Sequence, residues 1–264
     1  MRAVISSLKI LAFFVLCLLV VPVQVIIMLF TKGTAARFLP YAWMKAVCFI
    51  YQIKIHVEGV PHQNGQVIRM SNHLSYLDIP VIGSVIKDSF VSKADVAKWP
   101  VFGFLAGLRQ TAYVVRGARN PKLASQGVET RLRKGDNLVI FPEGTSTDGR
   151  DVLDFKTGVF SRAIDAGGDG LMIQPVSIHV IASDKRPIVT QDDRDLYAWH
   201  RDMDDDFELT DHLWRFGKSR GAEIRLVFHD PINVAEYDDR KTLAKATHKA
   251  VSNGLNNSIK RLNQ

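Results

Sequence analysis

The run Ser71-Asn72-His73-Leu74-Ser75-Tyr76-Leu77-Asp78 places a histidine five residues before an aspartate. An imidazole held by a carboxylate is a general base: the carboxylate fixes the tautomer and supports the imidazolium that forms when a proton is taken. Residues five apart do not share one face of a continuous helix. The pair therefore works only if His73 lies in a loop and Asp78 in the first turn of a helix that folds back on it. Ser75-x-x-Asp78 also approaches a capping box, which would make Asp78 a helix cap and nothing more. The same spacing recurs at His179/Asp184 and His200/Asp205, so spacing alone selects none of the three. A second patch is Phe141-Pro142-Glu143-Gly144-Thr145-Ser146. Gly144 lets the backbone approach a ligand, and Thr145 and Ser146 bring hydroxyls beside N–H groups, a turn suited to an anion or a developing oxyanion. Read by itself, the patch is more often an ordinary turn.

The elements that would carry these residues alternate. Ile53–Val57, Val67–Met70, Phe90–Ser92, Tyr113–Val115, Asn137–Phe141, Ile173–Val180 and Glu223–Phe228 are short and rich in β-branched residues, and read as strands. Asn120-Pro121 opens a helix that should end near Lys134-Gly135. Residues 157–167 and 240–263 also carry helical spacing. Strands alternating with helices predict one α/β domain. Both patches follow directly on predicted strands, so both sit where a strand releases the chain into a loop.

The N-terminal part is different. Between Lys9 and Lys32 lie 22 uncharged residues, Ile10 to Thr31, long enough to cross a hydrocarbon core of about 30 Å. The run exceeds the apolar core of a signal peptide and no small-x-small cleavage site follows, so a membrane helix is the expectation. A second apolar stretch, Phe38 to Ile53, has Lys45 as its one charge and carries interfacial aromatics. One span, or two helices dipping into one leaflet, both fit. The chain of 264 residues has 34 basic and 27 acidic side chains, a net charge of +7. The first 150 residues carry a net +10 and the remainder −3. A basic half beside an apolar segment points to an anionic membrane surface and anionic substrates. Nucleic acid is disfavoured, because no aromatic platform interleaves the basic residues. Cys17 and Cys48 both lie in apolar runs, which excludes a disulfide scaffold and a cysteine zinc site.

Taken together, Asn72-His73-x4-Asp78 and Phe141-Pro142-Glu143-Gly144-Thr145-Ser146 resemble the first and third motifs of the glycerolipid acyltransferases, in particular the bacterial 1-acyl-sn-glycerol-3-phosphate acyltransferase family. Lys93, Pro100, Gly103 and Arg116 resemble the second motif, and Gln174-Pro175-Val176-Ser177 the fourth. The resemblance covers roughly residues 65–180. Asp95 stands where the second motif often has Glu, and Gln174 where a small apolar residue is commoner. The resemblance implies a mixed central sheet flanked by helices, and transfer of a fatty acyl chain from acyl-CoA or acyl carrier protein to the sn-2 hydroxyl of 1-acyl-sn-glycerol-3-phosphate. His73 would be the general base and Asp78 its orienter. Arg116, Glu143, Gly144, Thr145, Ser146 and Lys93 would bind substrate. Neither a metal nor a bound cofactor is implied. The enzyme would sit at the cell inner membrane with its site on the cytoplasmic side.

The expected organisation is a membrane-associated segment at 1–52 and an acyltransferase domain at 53–264. Two rival functions are kept: O-acylation of another lysolipid, such as lyso-ornithine lipid, and a non-catalytic membrane-surface protein. Gly217-Lys218-Ser219-Arg220-Gly221 fits a hydrolase elbow only on paper, because helix precedes it and strand follows. Asp202, Asp204 and Asp206 have calcium-loop spacing but lack the required Gly and final Glu, and read as a solvated acidic surface.

Overall fold

The computed structural model describes residues 1–115, 126–166, 170–200, 203 and 208–262. Its strands are β1 (Ile53–Glu58), β2 (Val67–Ser71), β3 (Ser89–Lys93), β4 (Ala112–Val114), β5 (Leu138–Ile140), β6 (Met172–Ser183), β7 (Arg186–Pro187), β8 (Ala222–Phe228) and β9 (Ile232–Asn233). They form one mixed sheet in the order β1-β8-β6-β2-β5-β3-β4, with β7 and β9 on β6. From β6 to β4 every neighbour is parallel, and β8 runs antiparallel to β6. Central strands β2 and β5 are buried at every position, as strands covered on both faces must be. β8 instead alternates buried and half-buried residues and is covered more on one side.

All seven expected strands are present. The two missed, β7 and β9, are two residues long and have no periodicity to read. The helices are α1 (Arg2–Phe30), α2 (Phe38–Ile50), α3 (Asp78–Gly83), α4 (Phe102–Leu108), α5 (Gln126–Arg133), α6 (Gly158–Ala166), α7 (Gln191–Asp195), α8 (Leu209–Gly217) and α9 (Arg240–Leu262). The expected start at Asn120-Pro121 lies outside the described residues; the helix ends, as expected, just before Gly135, whose φ of 75° no β-carbon favours. One apolar layer packs α2 and α3 against the sheet through Met44, Val47, Leu77 and Ile82; another packs α5, α6 and α9 through Val128, Phe160 and Leu243.

Helix α1 is 29 residues, about 43 Å at 1.5 Å per residue. Its buried positions are the polar ones, Ser6, Lys9 and Gln24. Ser6 Oγ donates to the Trp214 carbonyl at 3.2 Å, Lys9 Nζ to that of Ser219 at 2.8 Å, and Gln24 Nε2 to that of Ala36 at 2.8 Å. The outward face carries Leu18, Leu29 and Phe30, all more than 70% exposed. A helix with polar groups inward and leucines outward suits an apolar surrounding, and α1 is long and apolar enough to cross a membrane. Helix α2 folds back along α1, with Phe13 meeting Trp43 edge-on at 5.7 Å.

One buried ion pair ties β2 to the segment before β3. Arg69 Nη1 donates to Asp88 Oδ2, while Arg69 Nε reaches Gln174 Oε1 at 3.2 Å. Burial pulls the Arg69 guanidinium down to about 10. Asp88→Asn should therefore destabilise by about 3–5 kcal/mol in urea unfolding, because it strands a buried charge. The double change Arg69→Met with Asp88→Leu should recover most of that loss.

Candidate active site

His73 is the second residue beyond β2 and Asp78 is the first residue of α3, the loop-then-helix arrangement that a five-residue spacing requires. Asp78 Oδ2 accepts from His73 Nδ1 at 2.7 Å, from Leu74 N at 2.7 Å and from Ser75 N at 3.0 Å. Asp78 Oδ1 accepts from the Tyr197 hydroxyl at 2.9 Å. The carboxylate is wholly buried and takes four donors, about its full capacity. The two readings of Asp78 thus coexist: it satisfies backbone N–H groups at a helix start and also holds the imidazole. Of the other two equal spacings, His179 makes no bond to Asp184, and Asp205 lies outside the described residues.

The backbone of His73 is clamped from both sides. Its N–H donates to Glu143 Oε1 at 2.7 Å, and its carbonyl accepts from Thr147 N at 2.9 Å and Thr147 Oγ1 at 3.2 Å. The imidazole stacks on Phe141, centroids 4.1 Å apart and 17° from coplanar. Asn72 extends the sheet one residue beyond β2: its Nδ2 donates to the Ile178 carbonyl at 2.9 Å and its Oδ1 accepts from Ile178 N at 2.8 Å. Buried backbone groups must find partners. These side chains supply them where the β2–β6 ladder stops.

His73 lines a cavity of about 830 Å³ together with Lys93, Gly144, Thr145 and Ser146. Gly144 sits at φ 72°, as the close turn requires. Lys156 and Asp95 line the same cavity, and the apolar part of its wall includes Phe13, Trp43 and Met44 from the membrane-associated helices. Arg116 lies outside the described residues. Glu143 departs from the expectation of substrate contact. It is 2% exposed and absent from the cavity wall; its Oε1 is taken by His73 N and its Oε2 by Leu153 N at 2.8 Å. With both oxygens engaged by backbone, Glu143 positions His73 and the loop at 153. Burial pushes its carboxyl up to about 8, against the pull of the two backbone donors. Tyr197 has no motif around it, and nothing in its local sequence marks it.

The Gly217–Gly221 turn is structural: Ser219 Oγ donates to the Phe216 carbonyl at 2.7 Å and accepts from Gly221 N at 3.0 Å. In the acidic stretch Asp193 closes a capping box with Thr190, and Asp211 closes one with Glu208.

A carboxylate-held histidine just beyond a strand, facing a partly apolar cavity, can take the proton of a hydroxyl that enters that cavity. Residues 52–179 match the family model described as Acyltransferase. The chain is 37% identical to a lyso-ornithine lipid O-acyltransferase of Rhodobacter capsulatus, over 78% of this chain and 71% of that one. It is 30% identical to a 1-acyl-sn-glycerol-3-phosphate acyltransferase of Neisseria meningitidis, over 72% and 69%. The crystal structure of the 1-acyl-sn-glycerophosphate acyltransferase of Thermotoga maritima shares the fold, with a TM-score of 0.67 at 20% identity and 97% coverage of both chains. The chain belongs to the acyltransferase family, and its reaction is acyl transfer to a lysolipid.

Stability should respond to pH through these buried groups. Burial pulls His179 and His212 down to about 4, and His229 also below its ordinary value. Between about 4 and 6.5 the unfolded chain binds protons that the folded chain refuses, so stability rises with pH there. Glu143 acts oppositely: between about 4.5 and 8 the folded chain keeps a proton the unfolded chain has lost, so stability falls as pH rises. Three histidines outweigh one glutamate below 6.5, and of these four groups Glu143 is the one that acts above it. Thermal melts between pH 4 and 8 should peak near 6.5, and Glu143→Gln should abolish the decline on the alkaline side.

Proposed function

We propose that the protein is an O-acyltransferase that moves a fatty acyl chain from a thioester, on CoA or acyl carrier protein, to the hydroxyl of a lyso-ornithine lipid. The observation that carries the reaction is the 2.7 Å bond from His73 Nδ1 to Asp78, which leaves Nε2 as the basic nitrogen of a ring lining the cavity. Nε2 takes the proton of the acceptor hydroxyl as the oxygen attacks the thioester carbonyl. The tetrahedral intermediate collapses, the C–O ester bond stays, the C–S bond breaks, and the departing thiolate takes the proton back from the imidazolium. Asp78 supports that imidazolium throughout. The step needs neither a protein nucleophile nor a metal. Thr145, Ser146, Lys93 and Arg116 are the proposed contacts to the acceptor and to the developing oxyanion.

The choice of acceptor rests on the 37% identity to the Rhodobacter capsulatus enzyme and on the rim of the cavity. Lys93 and Asp95 both line it. Arg109, Lys156, Arg162 and Arg240 line it too, so an ornithine headgroup has several cations for its carboxylate and Asp95 for its ammonium. The second reading, 1-acyl-sn-glycerol-3-phosphate as acceptor, is favoured by the Neisseria meningitidis relative and by the motif resemblance. In either case α1 is tied to the domain from the Arg2–Asp184 pair to Gln24, whose Nε2 donates to the Leu108 carbonyl at 3.3 Å. A helix so held lies along the domain within one leaflet. Because its thioester donors are cytoplasmic, we place the enzyme on the cytoplasmic face of the inner membrane, its basic N-terminal half against anionic headgroups.

His73→Ala should lower turnover by about 10²–10⁴-fold, the usual worth of a general base, while vesicle binding is unchanged. Full activity would sink the dyad. Purified protein offered labelled acyl thioester and a panel of lysolipids should acylate lyso-ornithine lipid at least tenfold faster than 1-acyl-sn-glycerol-3-phosphate. The reverse order establishes the second reading.

A further inference from the structure

Tyr197 lies two residues beyond α7, 119 positions from the aspartate its hydroxyl meets, and is completely buried. The two oxygens of Asp78 are not equivalent. Oδ2 carries the imidazole and two backbone amides, whereas among the described residues Oδ1 has the Tyr197 hydroxyl alone, at 2.9 Å. The segment around Tyr197 is itself tied to the histidine loop, since Trp199 N donates to the Leu74 carbonyl at 2.9 Å. The phenol ring packs edge-on against Phe216, centroids 6.2 Å apart at 83°. Burial, and next the charge of Asp78, push the phenol well above its ordinary 10, so it remains a donor at every working pH.

We propose that Tyr197 is a positioning residue of the acyl-transfer site: its hydroxyl fixes the rotation of the Asp78 carboxylate, so that Oδ2 stays on His73 Nδ1 and Nε2 stays the basic nitrogen. The proposal rests on the dyad reading above. The terminal torsion of an aspartate is broad and two-fold, so a carboxylate tied through one oxygen can rock. One tied through both cannot. The hydroxyl also takes up part of the carboxylate's charge. Without it, Asp78 holds the imidazolium more strongly and the base is protonated at higher pH. The titratable groups facing this charge are His73 and Tyr197, with Glu143 behind the His73 backbone.

The test is Tyr197→Phe in the full chain, which keeps the ring and removes one oxygen. At saturating lysolipid and thioester, kcat should fall about 5- to 100-fold with both KM values within about twofold. The acid limb of kcat/KM should move up by about half a pH unit. Wild-type kcat with an unmoved limb overturns the proposal. So does a loss of kcat with an unmoved limb and a lowered melting temperature, which would mark a packing role only. His73→Ala, assayed beside it, separates the two levels. Retained turnover there removes the dyad and Tyr197's role with it. An inactive His73→Ala with a wild-type Tyr197→Phe removes the role of Tyr197 alone.

Discussion

A single buried negative charge sets the terms for the active region. The Asp78 carboxylate is cut off from water, and an ion in that position is tolerated only when its lone pairs are filled. Four donors fill them: an imidazole, two backbone amides and a phenol. These four donors impose three constraints. The amides of Leu74 and Ser75 oblige the loop after β2 to turn back on the start of α3. The imidazole must then lie across the turn, flat against Phe141. The phenol requires the segment after α7 to cross over the same spot. Glu143 performs the matching service for the His73 backbone, so two buried carboxyls, one for the side chain and one for the main chain, immobilise one residue.

The sheet explains why motifs far apart in sequence meet. Strands β2, β5 and β3 are neighbours, and all three are parallel. Their C-terminal ends therefore open on one edge, the usual place for a ligand in a parallel sheet. β2 releases His73 there, β5 releases the Phe141–Ser146 turn, and β3 ends on Lys93. The wall of the cavity then continues onto α1 and α2 through Phe13, Trp43 and Met44. Helix α1 turns its polar side chains inward and its apolar ones outward, whereas α2 buries Met44, Val47 and Cys48, so the cavity wall runs on into an apolar helical layer.

What could be read from the sequence divides along the same physical lines. His73 and Asp78 are legible because their geometry is local, five residues and one turn. The strands are legible because buried parallel strands write themselves as β-branched runs. Helix α3 has six residues with Pro80 among them, too short for a 3.6-residue period to declare itself. Glu143 was legible as a motif residue but not as a buried one, since a motif does not say which way a side chain points. The direction emerges only when Leu153, ten residues on, returns its amide to Oε2. Tyr197 is the extreme case. Its partner is 119 residues away, and its own neighbours, Leu196 and Ala198, carry no chemistry.

The division of labour within the cavity follows from charge. A histidine and an aspartate activate any hydroxyl brought to Nε2 and are blind to the headgroup behind it. Discrimination between headgroups must therefore come from the wall. Lys93, with Lys156, Arg162 and Arg240 on the same wall, favours any anion. Asp95, two residues on and lining the same space, repels a dianion while attracting an ammonium. A headgroup that carries an ammonium beside its anion finds a partner for each charge on this wall, whereas an anion alone meets Asp95 as its like. The side chains that face the headgroup are thus separate from the pair that performs the transfer, so the preferred acceptor can change while the chemistry at Nε2 stays the same.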